Sequence, residues 1–247
     1  MYKQGVYIVY CLAFLVVLSV GGCKQQFKAE KETEAAVVGV DRFDIASDYA
    51  RRAIDAAGGR QAWKETEVLN FDCVVTFYRR DGSFYLTEQQ HEVHPWANRI
   101  MISARQPKWE IAEQTTAVPA AQSDRYFAEA VLNLTTAPAR LLDDLAWLSE
   151  EPRSVRFQGL SYYAIERSMT HPDAPRIGKV VFFQQVKSSV VDLILFADVG
   201  GTLFLAARGY DYVEPQPDSI CMPGKIEIFS TDAKGILQRR LAKIDLK

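Results

Sequence analysis

Val68-Leu69-Asn70-Phe71-Asp72-Cys73-Val74-Val75-Thr76-Phe77-Tyr78 is the stretch that decides the fold. Leu69, Phe71, Cys73, Val75 and Phe77 alternate with Asn70, Asp72, Thr76 and Tyr78. Successive side chains of a strand point to opposite faces, so this period of two predicts a strand with one buried face. Arg80-Asp81-Gly82-Ser83 follows as a tight turn, because Asp-Gly suits the positive φ angles of hairpins. Phe84 to Val93 then predicts the returning strand, which Pro95 breaks. Arg99 to Arg105 and Lys108 to Thr115 predict two more, parted by Pro107.

Working outward, a helix precedes this block, from about Asp44 to Ala57, with Ile45, Tyr49, Ala53, Ile54 and Ala57 at helical spacing. Gly58-Gly59 stops it, since glycine takes the left-handed conformation without steric cost, and Trp63 sits on a short continuation. Two helices follow the block. Ser123 is placed to cap the first, whose stripe is Tyr126, Phe127, Ala130, Val131 and Leu134. Pro138 suits the first turn of the second, with Leu141, Leu142, Leu145 and Leu148 on its apolar face. Strands return at about Ser154–Phe157, Tyr162–Met169, Lys179–Lys187, Val190–Ala197, Thr202–Tyr212, Gly224–Ser230 and Ile236–Ile244, with turns at Val199-Gly200-Gly201 and Asp232-Ala233-Lys234-Gly235.

Meandering strands with short turns make an antiparallel sheet. Two or three helices are too few to cover both faces of about ten strands, and so wide a sheet must curl to bury its apolar face. The expected class is α+β, mainly antiparallel β: a strongly curved half-barrel with the helices packed in its concave face. The 247 residues, 48% hydrophobic and 24% charged, fit a globular protein and exclude wholesale disorder or a polytopic membrane protein. A formal charge of -2 argues against a nucleic-acid partner, which needs a strong basic excess on one face.

The first residues read as a targeting segment. Lys3 precedes an apolar run from Val6 to Val20, shorter than the ~20 residues that a spanning helix needs. Val20-Gly21-Gly22-Cys23 resembles the lipobox of bacterial lipoproteins, with Gly21 where Ala or Ser is more usual. The resemblance implies a signal peptide over residues 1–22, removal of that peptide, and acylation of Cys23. Two or more acyl chains hold a protein stably on a membrane. Lys24, where an inner-membrane-retained lipoprotein would carry Asp, is compatible with the outer membrane. Residues 23–43 are charged and rich in small side chains, and read as a tether ahead of a domain over 44–247. Cys73 and Cys221 then remain as an even pair in an oxidising compartment; a disulfide between them and two separate buried thiols are both open.

Four local features bring a family into view: Ala56-Ala57-Gly58-Gly59 followed by Ala62-Trp63; the hairpin through Asp81-Gly82-Ser83; His94-Pro95-Trp96-Ala97-Asn98-Arg99; and Tyr210-Asp211-Tyr212 followed by Met222-Pro223-Gly224-Lys225-Ile226-Glu227-Ile228. In this order, from about Ile45 to Ile244, they resemble the periplasmic lipoprotein carriers of the LolA/LolB-like superfamily. That resemblance implies an apolar cavity between sheet and helices that accepts acyl chains, and an anchored receptor more than a soluble shuttle. Its candidate lining is Leu69, Phe71, Val75 and Phe77 on the first strand and Leu141, Leu145 and Leu148 on a lid helix, with Arg99 steadying the lid or a head group. The alternative for these residues is ordinary core, and for Arg99 an exposed strand arginine.

Catalytic and metal chemistry find little support. His91-Glu92-Val93-His94 has a spacing of three, which on a strand sends the two rings to opposite faces, whereas a zincin needs two His four apart on a helix. Asp143-Asp144 and Glu150-Glu151 sit at a predicted helix edge facing water, and Asn133-Leu134-Thr135 is read as a chance sequon. There is no G-x-S-x-G elbow, P-loop or dinucleotide fingerprint. The expectation is therefore a non-catalytic monomer without cofactor or metal, facing the periplasm. Its partners are a lipid or acylated polypeptide and, through the acyl anchor, a membrane. The alternative is a structural or envelope-sensing lipoprotein with a filled core and a protein partner.

Overall fold

The computed structural model describes residues 47–105, 122–142, 151–169, 175–214 and 219–247. These belong to one compact unit, Val40–Lys247. In chain order the elements are α1 (Asp48–Ala56), α2 (Gly59–Glu65), β1 (Leu69–Tyr78), β2 (Phe84–His94), β3 (Arg99–Arg105), α3 (Gln122–Thr135), α4 (Ala137–Leu142), β4 (Arg153–Phe157), β5 (Leu160–Ser168), β6 (Ile177–Gln185), β7 (Val191–Asp198), β8 (Leu203–Val213), β9 (Met222–Thr231) and β10 (Leu237–Leu246).

The ten strands form one antiparallel sheet in the order β3-β2-β1-β10-β9-β8-β7-β6-β5-β4. Strands β4 to β10 meander, and β10 then pairs with β1, Cys73 lying opposite Leu246 and Val75 opposite Ile244. The sheet stays open, with β3 and β4 as its edges. Helix α3 shows how sharply it curves. Its 14 residues span only ~21 Å, yet it touches β3 as well as β7, β8 and β9. In a flat sheet β3 and β7 would stand six spacings apart in this order, ~29 Å. The helix therefore lies across a concave face, as the expected half-barrel requires.

Strand boundaries agree with the alternation to within a residue or two. The predicted strand Lys108–Thr115 lies outside the described residues. The helices differ more. Ser47 caps α1 by accepting the Ala50 N–H at 3.3 Å, so the helix begins at Asp48; the expected start near Asp44 lies outside the described residues. Ser123, expected as a cap, lies inside α3. Helix α4 is buried along its whole described length, in the core under the helices. Of the two readings left open for the cysteines, separate thiols is the one found. Cys73 and Cys221 are both free thiols. Cys73 is on β1 and Cys221 precedes β9, with β10 between those strands, so two strand spacings of ~4.8 Å separate the ladders they belong to, beyond the reach of a disulfide.

One core runs under the helices, joining Ile54, Trp63, Leu69, Val75, Val131, Leu141, Phe182, Ile194 and Ile244. A second cluster on the sheet holds Tyr162, Val181, Phe183, Leu193 and Leu195. The α1–α2 corner is pinned at Ala57, whose carbonyl accepts the Trp63 indole N–H at 2.9 Å and the Cys221 N–H at 3.0 Å. Gly58, at φ 104°, makes this corner, and a Cβ there would stand 2.5 Å from the Ser219 carbonyl oxygen. Both the left-handed backbone and that contact oppose a side chain. A Gly58→Ala variant is expected to lose ~2–4 kcal/mol in urea unfolding. A loss under 1 kcal/mol would show that the corner relaxes freely.

Candidate functional site

The β1–β2 turn is built as the Asp-Gly signal predicts. Arg79 N–H donates to the Ser83 carbonyl at 2.8 Å, Gly82 takes φ 86°, and the Asp81 carboxylate accepts the Ser83 N–H at 2.9 Å and its hydroxyl at 2.7 Å. The turn fixes a register that sets Phe77 opposite Tyr85. Below it opens a cleft of about 580 Å³ between the hairpin, α3 and β8–β10, within the ~300–1,000 Å³ usual for small-molecule sites.

Its floor is aromatic and aliphatic. Phe77 stacks on Tyr85 with centroids 5.1 Å apart and meets Phe127 of α3 at 5.2 Å, and Tyr126 meets Phe204 edge-on at 5.8 Å. Leu205, Ile228 and Leu241 complete the apolar surface. Its rim is cationic: Arg79 and Arg80 from the turn, Arg176 just before β6, and Arg239 on β10. The Arg176 guanidinium sits 4.2 Å from the centre of the Phe204 ring, and that of Arg79 lies 5.4 Å from the Tyr85 ring. Among the described residues that line the cleft, none is acidic.

Of the candidate residues named from sequence, Phe77 lines this cleft. Leu69, Val75 and Leu141 are packed in the main core, and Phe71 lies against it with its ring 5.2 Å from that of His91. Arg99 borders a separate, more polar cleft of about 390 Å³ with Arg125 and Glu129, and its Nη2 is 3.2 Å from His94 Nε2. Leu145, Leu148 and Cys23 lie outside the described residues. Sequence reasoning did not reach the arginine rim or Phe204. The signal for Arg79, Arg80 and Tyr85 was present, since they flank the turn whose register sets Tyr85 opposite Phe77; Arg176, Phe204 and Arg239 carry no local signal.

Buried polar groups lie elsewhere in the fold. Cys73 Sγ is 3.6 Å from His91 Nε2, the arrangement of a nucleophile beside a base. Burial decides its state: the thiol is pushed up to about 12 and the imidazole down to about 4. At neutral pH the pair is therefore a thiol and a neutral ring, with no thiolate to attack. His91 Nε2–H donates to Gln89 Oε1 at 2.8 Å. His94 points to the other face, 2.7 Å from Glu92 Oε1. Asp192, buried beside Tyr162 and Gln185, is raised by that burial, and the Tyr162 hydroxyl reaches its Oδ2 at 3.4 Å. Among the described residues no three His, Cys, Asp or Glu side chains are grouped to hold a metal. His171, Asp143, Asp144 and Glu150 lie outside the described residues.

The sequence matches no family profile and no curated protein. Among the solved structures this chain is similar to are two with TM-scores of 0.50 or above. One is a LolA superfamily protein from Nitrosomonas europaea, at 11% identity and a TM-score of 0.51, covering 80% of this chain and 91% of that one. The other is an outer membrane lipoprotein-sorting protein domain from Vibrio parahaemolyticus, at 10% identity and a TM-score of 0.50, with the same coverage of 80% and 91%. At such identities a likeness speaks for architecture, and on that ground this chain is built on the open, curved antiparallel half-barrel of the LolA-like structures.

Proposed function

We propose that this chain is a non-catalytic, lipid-anchored protein of the bacterial envelope that takes up a lipid, or the acyl part of a lipid-modified polypeptide. Acylated Cys23 would hold it on a membrane, facing the periplasm, and the outer membrane is favoured by Lys24. The observation that carries the reading is the cleft: an apolar floor of Phe77, Phe127, Phe204, Leu205 and Ile228, large enough for a small amphiphile and open to it. Each CH2 moved from water onto such a floor contributes ~0.8 kcal/mol. The LolA-like fold supports the same reading, since one of the similar structures is named for lipoprotein sorting.

Native mass spectrometry of the full chain released from membranes is expected to find one extractable lipid per protein, and Cys23→Ser is expected to move the protein to the soluble fraction. An empty protein that also ignores added acyl probes would overturn the binding reading, and persistent membrane attachment of the Cys23→Ser variant would refute anchoring at that residue. A second reading has an observation of its own. Helices α3 and α4 fill the concave face beside Leu69 and Val75 with solid core. That packing favours a structural or envelope-sensing lipoprotein with a protein partner should the cleft prove empty.

A further inference from the structure

We propose that the cleft selects anionic amphiphiles: one alkyl chain ending in a carboxylate or a phosphate. This rests on the lipid-binding reading and narrows its ligand.

Arg79 and Arg80 belong to the β1–β2 turn, Arg176 to the start of β6 and Arg239 to β10, and the curved sheet brings all four to one mouth. In a chain of formal charge -2 this is a local concentration of positive charge that no general basic excess explains. Two other arginines on this sheet are paired with carboxylates. Arg153 bonds to Glu166, and Arg240 donates to Glu227 at 2.5 Å. At the cleft, Arg80, Arg176 and Arg239 have no carboxylate partner among the described residues. Those three guanidinium groups, gathered with no carboxylate among the described residues, repel one another, and an anion at their centre relieves that repulsion. Carboxylate and phosphate are the anions that the planar N–H fork of arginine binds in bidentate fashion.

The floor gives the other half of the ligand. Its rings are already engaged with one another, Phe77 on Tyr85 and Tyr126 edge-on to Phe204. Among the described residues these ring pairs leave no slot between two parallel rings for a flat base or indole. Among the described residues the lining contains no Asn, Gln, Asp or Glu to read the edge of a nucleobase. What remains is an apolar trough ending under cations, which is complementary to an alkyl chain with an anionic head.

The test uses the full chain in phosphatidylcholine nanodiscs, with empty discs subtracted, titrated calorimetrically with four probes of equal chain length: octanoate, octyl phosphate, 1-octanol and octyltrimethylammonium. The two anions are expected to bind at least ~tenfold more tightly than the alcohol, and the cation more weakly than the alcohol. Raising NaCl from about 50 mM to about 500 mM is expected to shrink the anion advantage. Whichever anion binds more tightly, carboxylate or phosphate, supports the proposal and separates a fatty acid from a phospholipid-type head. The double variant Arg176→Gln/Arg239→Gln is expected to lose the preference while keeping the affinity for octanol and the thermal melting point.

Octanol binding as tightly as octanoate would overturn the anion selectivity and leave lipid binding standing. Binding of none of the probes would overturn both. An anion preference that survives the double variant would refute the arginine rim as its source. A parallel loss of octanol and octanoate affinity in that variant would do the same, by showing that the arginines only hold the cleft in shape.

Discussion

Trp63→Ala is expected to cost ~3–5 kcal/mol in equilibrium unfolding, a large part of the ~5–15 kcal/mol that a domain normally has. Trp63 is fully buried, with 0% of its surface exposed, and meets Trp96 edge-on at 6.3 Å. Its indole N–H also donates to Ala57 O at 2.9 Å, tying α2 back to the end of α1. Truncation removes the ring, leaves a cavity too enclosed to collapse, and breaks that tie. Trp63→Phe separates the contributions. It keeps most of the buried volume, and the Ala57 carbonyl keeps its bond from the Cys221 N–H at 3.0 Å, so no acceptor is orphaned. The Phe variant is therefore expected to lose only ~1–2 kcal/mol. Urea midpoints for the two variants that coincide would show that the hydrogen bond and not the packed volume carries the corner.

Acidification is expected to weaken the fold by about 3 kcal/mol between pH 6.5 and 4 through His91 alone. Burial lowers this imidazole from 6.5 to about 4, because a charged ring would have no water around it. The unfolded chain therefore binds more protons than the folded one throughout that window. Stability is fully present above the unfolded value of 6.5 and is lost as pH falls through the folded value near 4. Burial against the rings of Phe71 and Phe127, at 5.2 and 6.2 Å, keeps water from the imidazole and so keeps it neutral, while its Nε2–H donates to Gln89 Oε1 at 2.8 Å. A His91→Phe variant removes the titrating group and is expected to flatten the stability profile over this range. An unchanged slope in that variant would assign the acid sensitivity to other groups.

His91 also shows how far local pattern reaches. The alternation in Phe84 to Val93 puts His91 on the same face as Val93, and that face is buried in the structure. Nothing local says that Cys73 and Phe127 will stand beside it. Phe71 and Phe77 make the same point on β1. Both occupy the inward set that the alternation predicts, yet Phe71 packs on His91 whereas Phe77 lines the cleft. The difference lies in what crosses above each one, and α3 is far away in sequence.

What the sequence alone determined is the set of elements and their faces. Period-two runs made the strands, Asp81-Gly82 and Asp232–Gly235 made the turns, and Gly58-Gly59 ended α1. These outcomes depend on neighbours within a few residues, through backbone sterics and the side-chain period. Curvature also followed from arithmetic, because ten strands with few helices must curl to bury one face. Tertiary structure alone decided the closure of β10 onto β1, the core position of α4, the separation of Cys73 from Cys221, and the meeting of Arg79, Arg80, Arg176 and Arg239 over one aromatic floor. Each of those needs residues distant in the chain to be brought together, and the register and bend of a sheet are fixed by packing across its whole width.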